Sequence, residues 1–137
     1  MNSVITPSDR DSIEARRTGI LISRDLIFTS KITGTARELG CRILVAGDEE
    51  SALSMIQCYK PRVVLIDLAA KEMTASQQLT GYLEAGGSNA TFLAFGPHVD
   101  AEALQAAERA GCDSVMPRSK FSSRLPDLIR QLFLETV

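Results

Sequence analysis

The sequence predicts a single α/β domain in which a five-stranded parallel sheet is covered by helices on both faces. Three observations predict it. The chain has 137 residues, an ordinary length for one domain. Short runs of consecutive apolar residues, typical of strands buried on both faces, alternate with segments of helical periodicity. The alternation occurs five times, which predicts five βα units joined by right-handed crossovers.

Five apolar runs define the predicted strands, and each is short and nearly free of charge. They are 19–22, 42–46, 63–66, 91–95 and 114–116. The third run, Val-Val-Leu-Ile, is the most hydrophobic of the five. For five βα units of this size the commonest strand order is 2-1-3-4-5, the flavodoxin-like order.

Helical spacing of apolar residues follows each run. In the first helix Phe28, Ile32 and Ala36 share one face. Asp48 and Asp100 are predicted to cap the second and fourth helices through their carboxylates. Glycines or a proline end the first four helices, predicted before Gly40, before Pro61, before Gly86 and before Gly111. The last helix is predicted to start at Leu125, with Pro126 in its first turn and an apolar stripe to Leu132.

Composition narrows the class of protein. Hydrophobic residues make up 45% and charged residues 23%, as in globular domains, and no apolar run has the length of a membrane span. Residues 1–17 are polar, lack the apolar core of a signal peptide and are predicted to form a flexible leader to a domain at 18–137. We therefore expect a cytoplasmic protein. The net charge of −2 argues against binding to nucleic acid, and no membrane association is expected.

Metal-binding and nucleotide-binding motifs are missing from the sequence. Cys41, Cys58 and Cys112 lie far apart, and His98 is the single histidine. No zinc or thioredoxin-type site fits this spacing, so we expect reduced and mostly buried thiols. The turn after the first strand lacks the glycines that cradle phosphates, which argues against nucleotide binding.

The polar residues that directly follow the strands are the candidate site, because ligands of open parallel sheets bind beyond the carboxyl ends of the strands. Asp67 follows the third strand and places a carboxylate at this edge. An acid in this position also commonly caps the next turn. The other strands are followed by Ser23, Arg24, Asp25, Gly96, Pro117, Arg118 and Ser119.

From about Thr18 to Phe133 the chain resembles the receiver domain of bacterial two-component response regulators. The segment 61–68 resembles the third strand of a receiver and places Asp67 at the phosphoacceptor position. The segment 110–113, Ala-Gly-Cys-Asp, resembles the turn that leads into the fifth strand of receivers. The resemblance implies a receiver-type (βα)5 fold.

Several functional positions depart from the receiver family. The family carries two acids after the first strand, and here Arg24 replaces the first while Asp25 remains. The switch hydroxyl position falls on Gly96 and the aromatic switch position on Val115. The invariant lysine position falls on Arg118. The acceptor position is kept, whereas most of the chemistry around it is replaced.

A guanidinium among the acids disfavours the Mg²⁺ that receivers use. Mg²⁺ needs oxygen ligands, and a positive charge about 4 Å away costs several kcal/mol at an effective dielectric constant of about 20. We therefore predict no cofactor, with Asp25 and Asp67 as the ligands if the metal binds at all. We also predict that Arg24 lies within salt-bridge distance of Asp67 or Asp25 and fills the place of the metal.

These observations favour a pseudo-receiver: a signalling domain that is not an enzyme, that contacts a sensor kinase, a regulator or an output protein, and in which phosphorylation of Asp67 is lost or atypical. Two alternatives remain. One is a functional phosphoacceptor receiver with weakened use of Mg²⁺. The other is a small flavodoxin-like enzyme or ligand-binding protein, against which stands the lack of a Cys or His beside Asp67.

A surface for self-association or for a partner is predicted on the fourth helix, the fifth strand and the last helix. Receivers generally use this face, and the sequence adds its own reasons. Ala103 and Ala106 lie off the apolar stripe of the fourth helix, and Phe133 and Leu134 lie beyond the stripe of the last one. We expect these four side chains to be exposed and to support a weak homodimer or a partner site.

Overall fold

The computed structural model describes residues 17–134 and confirms the predicted sheet. All neighbouring strands are parallel, and their order is 2-1-3-4-5. The strands are β1 (Thr18–Ile22), β2 (Arg42–Ala46), β3 (Val63–Asp67), β4 (Thr91–Gly96) and β5 (Ser114–Pro117). Of the predicted leader, residues 1–16 lie outside the described residues, as does 135–137 at the other end of the predicted domain.

Six helices connect or follow the strands of the described chain. They are α1 (Leu26–Glu38), α2 (Glu49–Tyr59), α3 (Ser76–Gly86), α4 (Ala101–Ala110), α5 (Arg118–Ser123) and α6 (Leu125–Ile129). Two 3₁₀ turns and a π-helical turn complete the elements: Lys71–Met73, Gly87–Asn89 and Arg130–Leu134. Within residues 17–134, no helix is both long enough and apolar enough to cross a bilayer.

The predicted helix caps are confirmed. The carboxylate of Asp48 accepts the backbone N–H of Ser51, and that of Asp100 accepts the N–H of Ala103. A third cap, at α1, was not predicted: Asp25 accepts the N–H of Phe28 at 3.0 Å. Each cap satisfies a backbone donor that the first turn of a helix leaves without a partner.

Two apolar cores lie on opposite faces of the sheet. Because side chains alternate along a strand, Leu21 and Leu65 point to the face covered by α1, α5 and α6. Ile20 and Val64 point to the face covered by α2, α3 and α4. Every residue of β1 and β3 is buried, which explains their uninterrupted apolar sequences.

The segment after β5 differs from the prediction. The last helix was predicted to start at Leu125, yet residues 118–123 before it already form a helix, α5. The ring of Phe121 is fully buried and stacks on Phe95 with centroids 4.2 Å apart and an interplanar angle of 11°. The packing of this one aromatic side chain fixes a polar segment against the sheet. Tertiary packing therefore produces a helix where the local sequence pattern only weakly favours one.

Phe133 corrects a second prediction. It was expected on the surface, but its side chain is only 3% exposed. The π-helical turn shifts the helical register at its position and directs the ring inward, towards Gly19. A Cβ atom at Gly19 would lie 2.6 Å from Cζ of Phe133, so β1 needs glycine at the place where the ring docks.

The thiols and the histidine are only partly as expected. Cys41 is buried and Cys112 is half-buried, as predicted, but Cys58 is exposed near the end of α2. Burial raises the pKa of the Cys112 thiol to about 11. His98 is exposed in the loop after β4.

Candidate functional site

The loops after the strands enclose a shallow depression at the carboxyl edge of the sheet. Its volume is about 370 Å³, and it is lined by Arg24, Asp25, Asp67, Ala69, Ala70 and Glu72. The loop after β1 and the loop after β3 thus supply its walls. Three residues predicted from the sequence, Arg24, Asp25 and Asp67, come together here.

Asp67 is a buried carboxylate, only 1% exposed, that is held by uncharged donors. The hydroxyl of Ser23 donates to Oδ2 at 2.8 Å, and the backbone N–H of Ala69 donates to Oδ1 at 3.0 Å. The acid therefore also caps the turn that follows β3. Among residues 17–134, no Lys, Arg or His nitrogen forms a salt bridge with it. Its desolvation is offset by hydrogen bonds rather than by a cation.

The contact between Ser23 and Asp67 follows from strand register. In the parallel pair of β1 and β3, Ile22 is the partner of Ile66. Ser23, which directly follows β1, therefore lies opposite Asp67, the last residue of β3. The hydroxyl of Ser23 also accepts the backbone N–H of Asp25 at 3.2 Å. Ser23 thereby links the carboxylate of Asp67 to the backbone of Asp25 through one side chain.

Asp25 is engaged through both carboxylate oxygens. Oδ1 caps α1, while Oδ2 accepts a hydrogen bond from Nη2 of Arg118 at 2.6 Å. The Arg118 guanidinium also lies over the ring of Phe28, 4.0 Å from its centroid. The bond from Arg118, followed by the N–H of Phe28, lowers the pKa of Asp25 below its usual value. Arg118 thus neutralises the acid that remains after β1.

Arg24 does not occupy the place that was predicted for it. Its side chain is 59% exposed, and Nη1 lies 3.9 Å from Oε1 of Glu72. Neighbouring residues of an extended segment point in opposite directions, so Ser23 turns inward and Arg24 turns outward. The prediction that Arg24 contacts Asp67 or Asp25 is therefore wrong, and Arg118 makes the contact with Asp25 instead.

The position of the switch hydroxyl is closed by a neighbouring side chain. A Cβ atom at Gly96 would lie 3.1 Å from Cβ of Leu68, a residue that is 1% exposed. The backbone N–H of Leu68 also donates to the carbonyl of Phe95 at 2.8 Å, which fixes Leu68 beside β4. Val115, at the other switch position, is half-buried against the core. Side chains larger than hydrogen have little room at Gly96.

The loop after β3 is tied to the helices around it. The Lys71 ammonium forms an ion pair with Asp100, the cap of α4, and so connects this loop to the start of that helix. The hydroxyl of buried Tyr82 donates to the carbonyl of Met73 at 2.7 Å. Sequence reasoning missed both contacts, because they join residues that are remote along the chain or exposed.

Comparison with solved structures agrees with the fold of the chain. The receiver domain of NtrX from Brucella abortus superposes with a TM-score of 0.72 and 17% identity, covering 86% of this chain and 99% of that one. A CheY-like protein, tadZ, from Pseudomonas aeruginosa has a TM-score of 0.67 and 20% identity, covering 85% and 98%. The chain has the receiver fold.

The other comparisons show that sequence identity to known proteins is too low to assign a function from the receiver fold. A response regulator from Burkholderia pseudomallei, solved with a phosphorylated aspartic acid and a calcium ion, has a TM-score of 0.67 and 13% identity, covering 88% of this chain and 75% of that one. No protein-family model and no curated protein matches the sequence. At these identities the likeness establishes the fold, and function has to be argued from the residues of the site.

The residues at this edge of the receiver fold do not fit Mg²⁺. The ion requires several oxygen ligands in octahedral geometry. Both oxygens of Asp25 already accept hydrogen bonds, and one of them is paired with the Arg118 guanidinium. In the part of the chain that the structure describes, no three His, Cys, Asp or Glu side chains are grouped to hold a metal.

The ion pair of Asp25 predicts a dependence of stability on pH. Because the pKa of Asp25 is lowered in the folded protein, the pair contributes fully above the usual carboxyl pKa near 3.8. The contribution is lost as the pH falls through the lowered pKa. We expect the difference in free energy of unfolding between the wild type and Asp25→Asn, which retains a capping oxygen, to shrink towards zero in acid.

Urea unfolding at a series of pH values measures this difference. Arg118→Gln removes the other partner and is expected to reproduce the behaviour of Asp25→Asn. A difference that stays constant from neutral to acid pH in both variants would contradict the role assigned to the pair.

Proposed function

We propose that this chain is a signalling domain of two-component or phosphorelay type that acts by binding proteins, without a phosphoryl group on Asp67. The observation that carries the proposal is the ion pair between Arg118 and Asp25. Transfer of a phosphoryl group to a carboxylate depends on positioning and on compensation of charge. With Arg118 paired to Asp25, the metal and the lysine that provide this compensation in receivers are both replaced.

The closed switch position supports the same proposal. In a phosphorylated receiver the switch hydroxyl reports the new phosphoryl group, which is what the resemblance implies for this position. Gly96 has no hydroxyl, and Leu68 fills the space beside it. A phosphoryl group on Asp67 would therefore lack the side chain that transmits its presence to the start of α4.

A phosphoaccepting receiver is the second candidate, favoured by one observation. Asp67 is retained at the carboxyl end of β3 and lines an open depression. Against it stand Ser23 and Ala69, which already hydrogen-bond to the two oxygens of Asp67. No observation on the described residues favours the flavodoxin-like enzyme. Four statements remain predictions: the protein is not an enzyme, it needs no cofactor, it binds no nucleic acid, and it is cytoplasmic.

The amide resonances of the protein test the proposal. Beryllofluoride with Mg²⁺ imitates a phosphoryl group on a receiver aspartate. We expect the amides of Asp67, Gly96 and the loop before α4 to keep their chemical shifts when both are added. Asp67→Asn is the control for nonspecific effects of the added salts. Shifts at these amides that require both additions, and that Asp67→Asn abolishes, would favour the phosphoaccepting receiver.

The partner is proposed to be a sensor kinase, a regulator or an output protein, with α4, β5 and the last helical segments as one candidate surface. Here the structure narrows the prediction. Ala103 packs against the core and Phe133 is buried, so neither offers an exposed contact. Ala106 is half-buried and Leu134 is 36% exposed. These two side chains now carry the prediction of a weak homodimer on this face.

Light scattering over a concentration series measures that homodimer. We expect Ala106→Glu with Leu134→Glu to weaken it, because two carboxylates would be desolvated in an apolar contact. Ser30→Glu with Gln57→Glu, at exposed positions of α1 and α2, is the control and is expected to leave it unchanged. A dimer that both pairs leave intact would exclude this face.

A further inference from the structure

The helices on the two faces of the sheet carry opposite charge. The segments packed on one face, α1 and residues 118–134, which comprise α5, Arg124, α6 and the π-helical turn, form what we call the basic face. Six basic and two acidic residues belong to it: Lys31, Arg37, Arg118, Lys120, Arg124 and Arg130, with Glu38 and Asp127. Helices α2, α3 and α4 form the acidic face. Five acidic residues and one basic residue belong to it: Glu49, Glu50, Glu84, Glu102 and Glu108, with Arg109.

These charges are on the surface and are only partly used within the chain. On the basic face, Arg118 and Arg130 pair with Asp25 and Asp127, while Lys31 donates to the hydroxyl of Ser122. The remaining three basic side chains are exposed: Arg37, Lys120 and Arg124. All five glutamates of the acidic face are exposed as well. The described domain therefore has a strong electrostatic asymmetry across its sheet, although its net charge is small.

Exposed apolar side chains lie beside both sets of charges. At the start of α1 on the basic face, Leu26 is 81% exposed and Ile27 is 86% exposed. Next to the acidic face, Val99 before α4 is 81% exposed and Tyr59 at the end of α2 is 47% exposed. Such side chains add a short-range attraction to any contact between charged surfaces.

We propose that copies of this chain associate head to tail, with the basic face of one copy against the acidic face of the next. The binding partner is a second copy of the chain, because the basic face and the acidic face of this one molecule are complementary in charge. Since the two faces lie on opposite sides of the sheet, the contact is heterologous and can be repeated along a row of copies. The proposal does not depend on the state of Asp67.

Two variants with reversed charge test the proposal, one for each face. Lys120→Glu with Arg124→Glu alters the basic face at exposed positions of α5 and just after it. Glu84→Lys with Glu108→Lys alters the acidic face near the ends of α3 and α4, where a positive charge suits the helix dipole. Circular dichroism is used to check that each variant is folded. Lys120→Arg with Arg124→Lys keeps the charge and is the matched control.

Light scattering over a concentration series is the measurement. We expect the wild type to associate at about 0.01 M salt and to dissociate towards monomers at about 0.1 M, as the Debye length falls from about 30 Å to about 10 Å. Each reversed variant alone is expected to associate at least about tenfold more weakly, and the matched control like the wild type. A mixture of the two reversed variants is expected to associate again, because the intact basic face of one meets the intact acidic face of the other.

Four results would overturn the proposal. The wild type could be monomeric at low salt at every concentration, or both reversed variants could associate as it does. The mixture of reversed variants could remain monomeric. Binding of short duplex DNA to the basic face without self-association would assign that face to a different partner, and would also contradict the proposal.

Discussion

A variant with Arg24→Asp and Arg118→Lys is expected to bind Mg²⁺ at least about tenfold more tightly than the wild type, a change of about 1.4 kcal/mol or more. Arg24→Asp replaces a positive charge that lines the depression by a carboxylate at the same rim. Arg118→Lys replaces a planar guanidinium by a compact ammonium of different reach and removes the guanidinium N–H that occupies Oδ2 of Asp25. Oxygen ligands are then free for a hard cation. Isothermal titration calorimetry measures the change.

The matched control for this variant is Arg37→Asp with Arg124→Lys. It makes the same changes of residue type at exposed positions that do not line the depression. We expect the control to bind Mg²⁺ no better than the wild type, because general attraction of a more acidic surface is weak and screened by salt. Equal affinities in the variant and the control would contradict the role assigned to the two arginines.

A Gly96→Thr variant is expected to lose about 1–3 kcal/mol of its free energy of unfolding, the usual cost of overpacking a filled core. Its Cβ atom would already lie 3.1 Å from Cβ of Leu68, and the hydroxyl and methyl groups of threonine extend further. Leu68 is almost completely buried and has little freedom to move away. Urea unfolding monitored by circular dichroism measures the loss.

Two further variants identify the cause of that loss. At Gly47 no atom lies within 4 Å of an added Cβ, so Gly47→Thr is expected to change stability far less. In a Leu68→Gly background, which removes the Cβ atom that makes the closest contact, Gly96→Thr is expected to cost less than it does alone, because the added side chain fills the space that was vacated. Equal costs in the two backgrounds would show that Leu68 does not close the switch position.

The arrangement of the sheet could be predicted because its strands are buried on both faces. An uninterrupted apolar run such as 63–66 has few alternatives to a central parallel strand, and the caps at Asp48 and Asp100 follow from local hydrogen bonding. The segment 118–123 contains one large apolar residue and no period. Its helix depends on the docking of Phe121 against Phe95, a contact between distant parts of the chain.

The candidate site was predictable in position and less so in its pairings. Asp67 and Asp25 were identified because each follows a strand at the carboxyl edge. The bond from Ser23 to Asp67 follows from register, once β1 and β3 are known to be neighbours. The partner of Asp25 was wrongly predicted, because the side chain of Arg24, although adjacent in sequence, points outward to Glu72. The contact between Leu68 and Gly96 could not be predicted, because it results from tertiary packing and no local sequence pattern encodes it.

The mass of the intact protein after incubation with acetyl phosphate and Mg²⁺ tests the central claim most directly. Mass spectrometry separates a phosphorylated chain from an unmodified one, and Asp67→Asn identifies modification at the acceptor position. Asp25 is paired with Arg118 and Gly96 offers no switch hydroxyl, so we expect the wild type to keep the mass of the unmodified chain. A stoichiometric species heavier by one phosphoryl group, present in the wild type and absent from Asp67→Asn, would contradict the claim and identify the protein as a phosphoaccepting receiver.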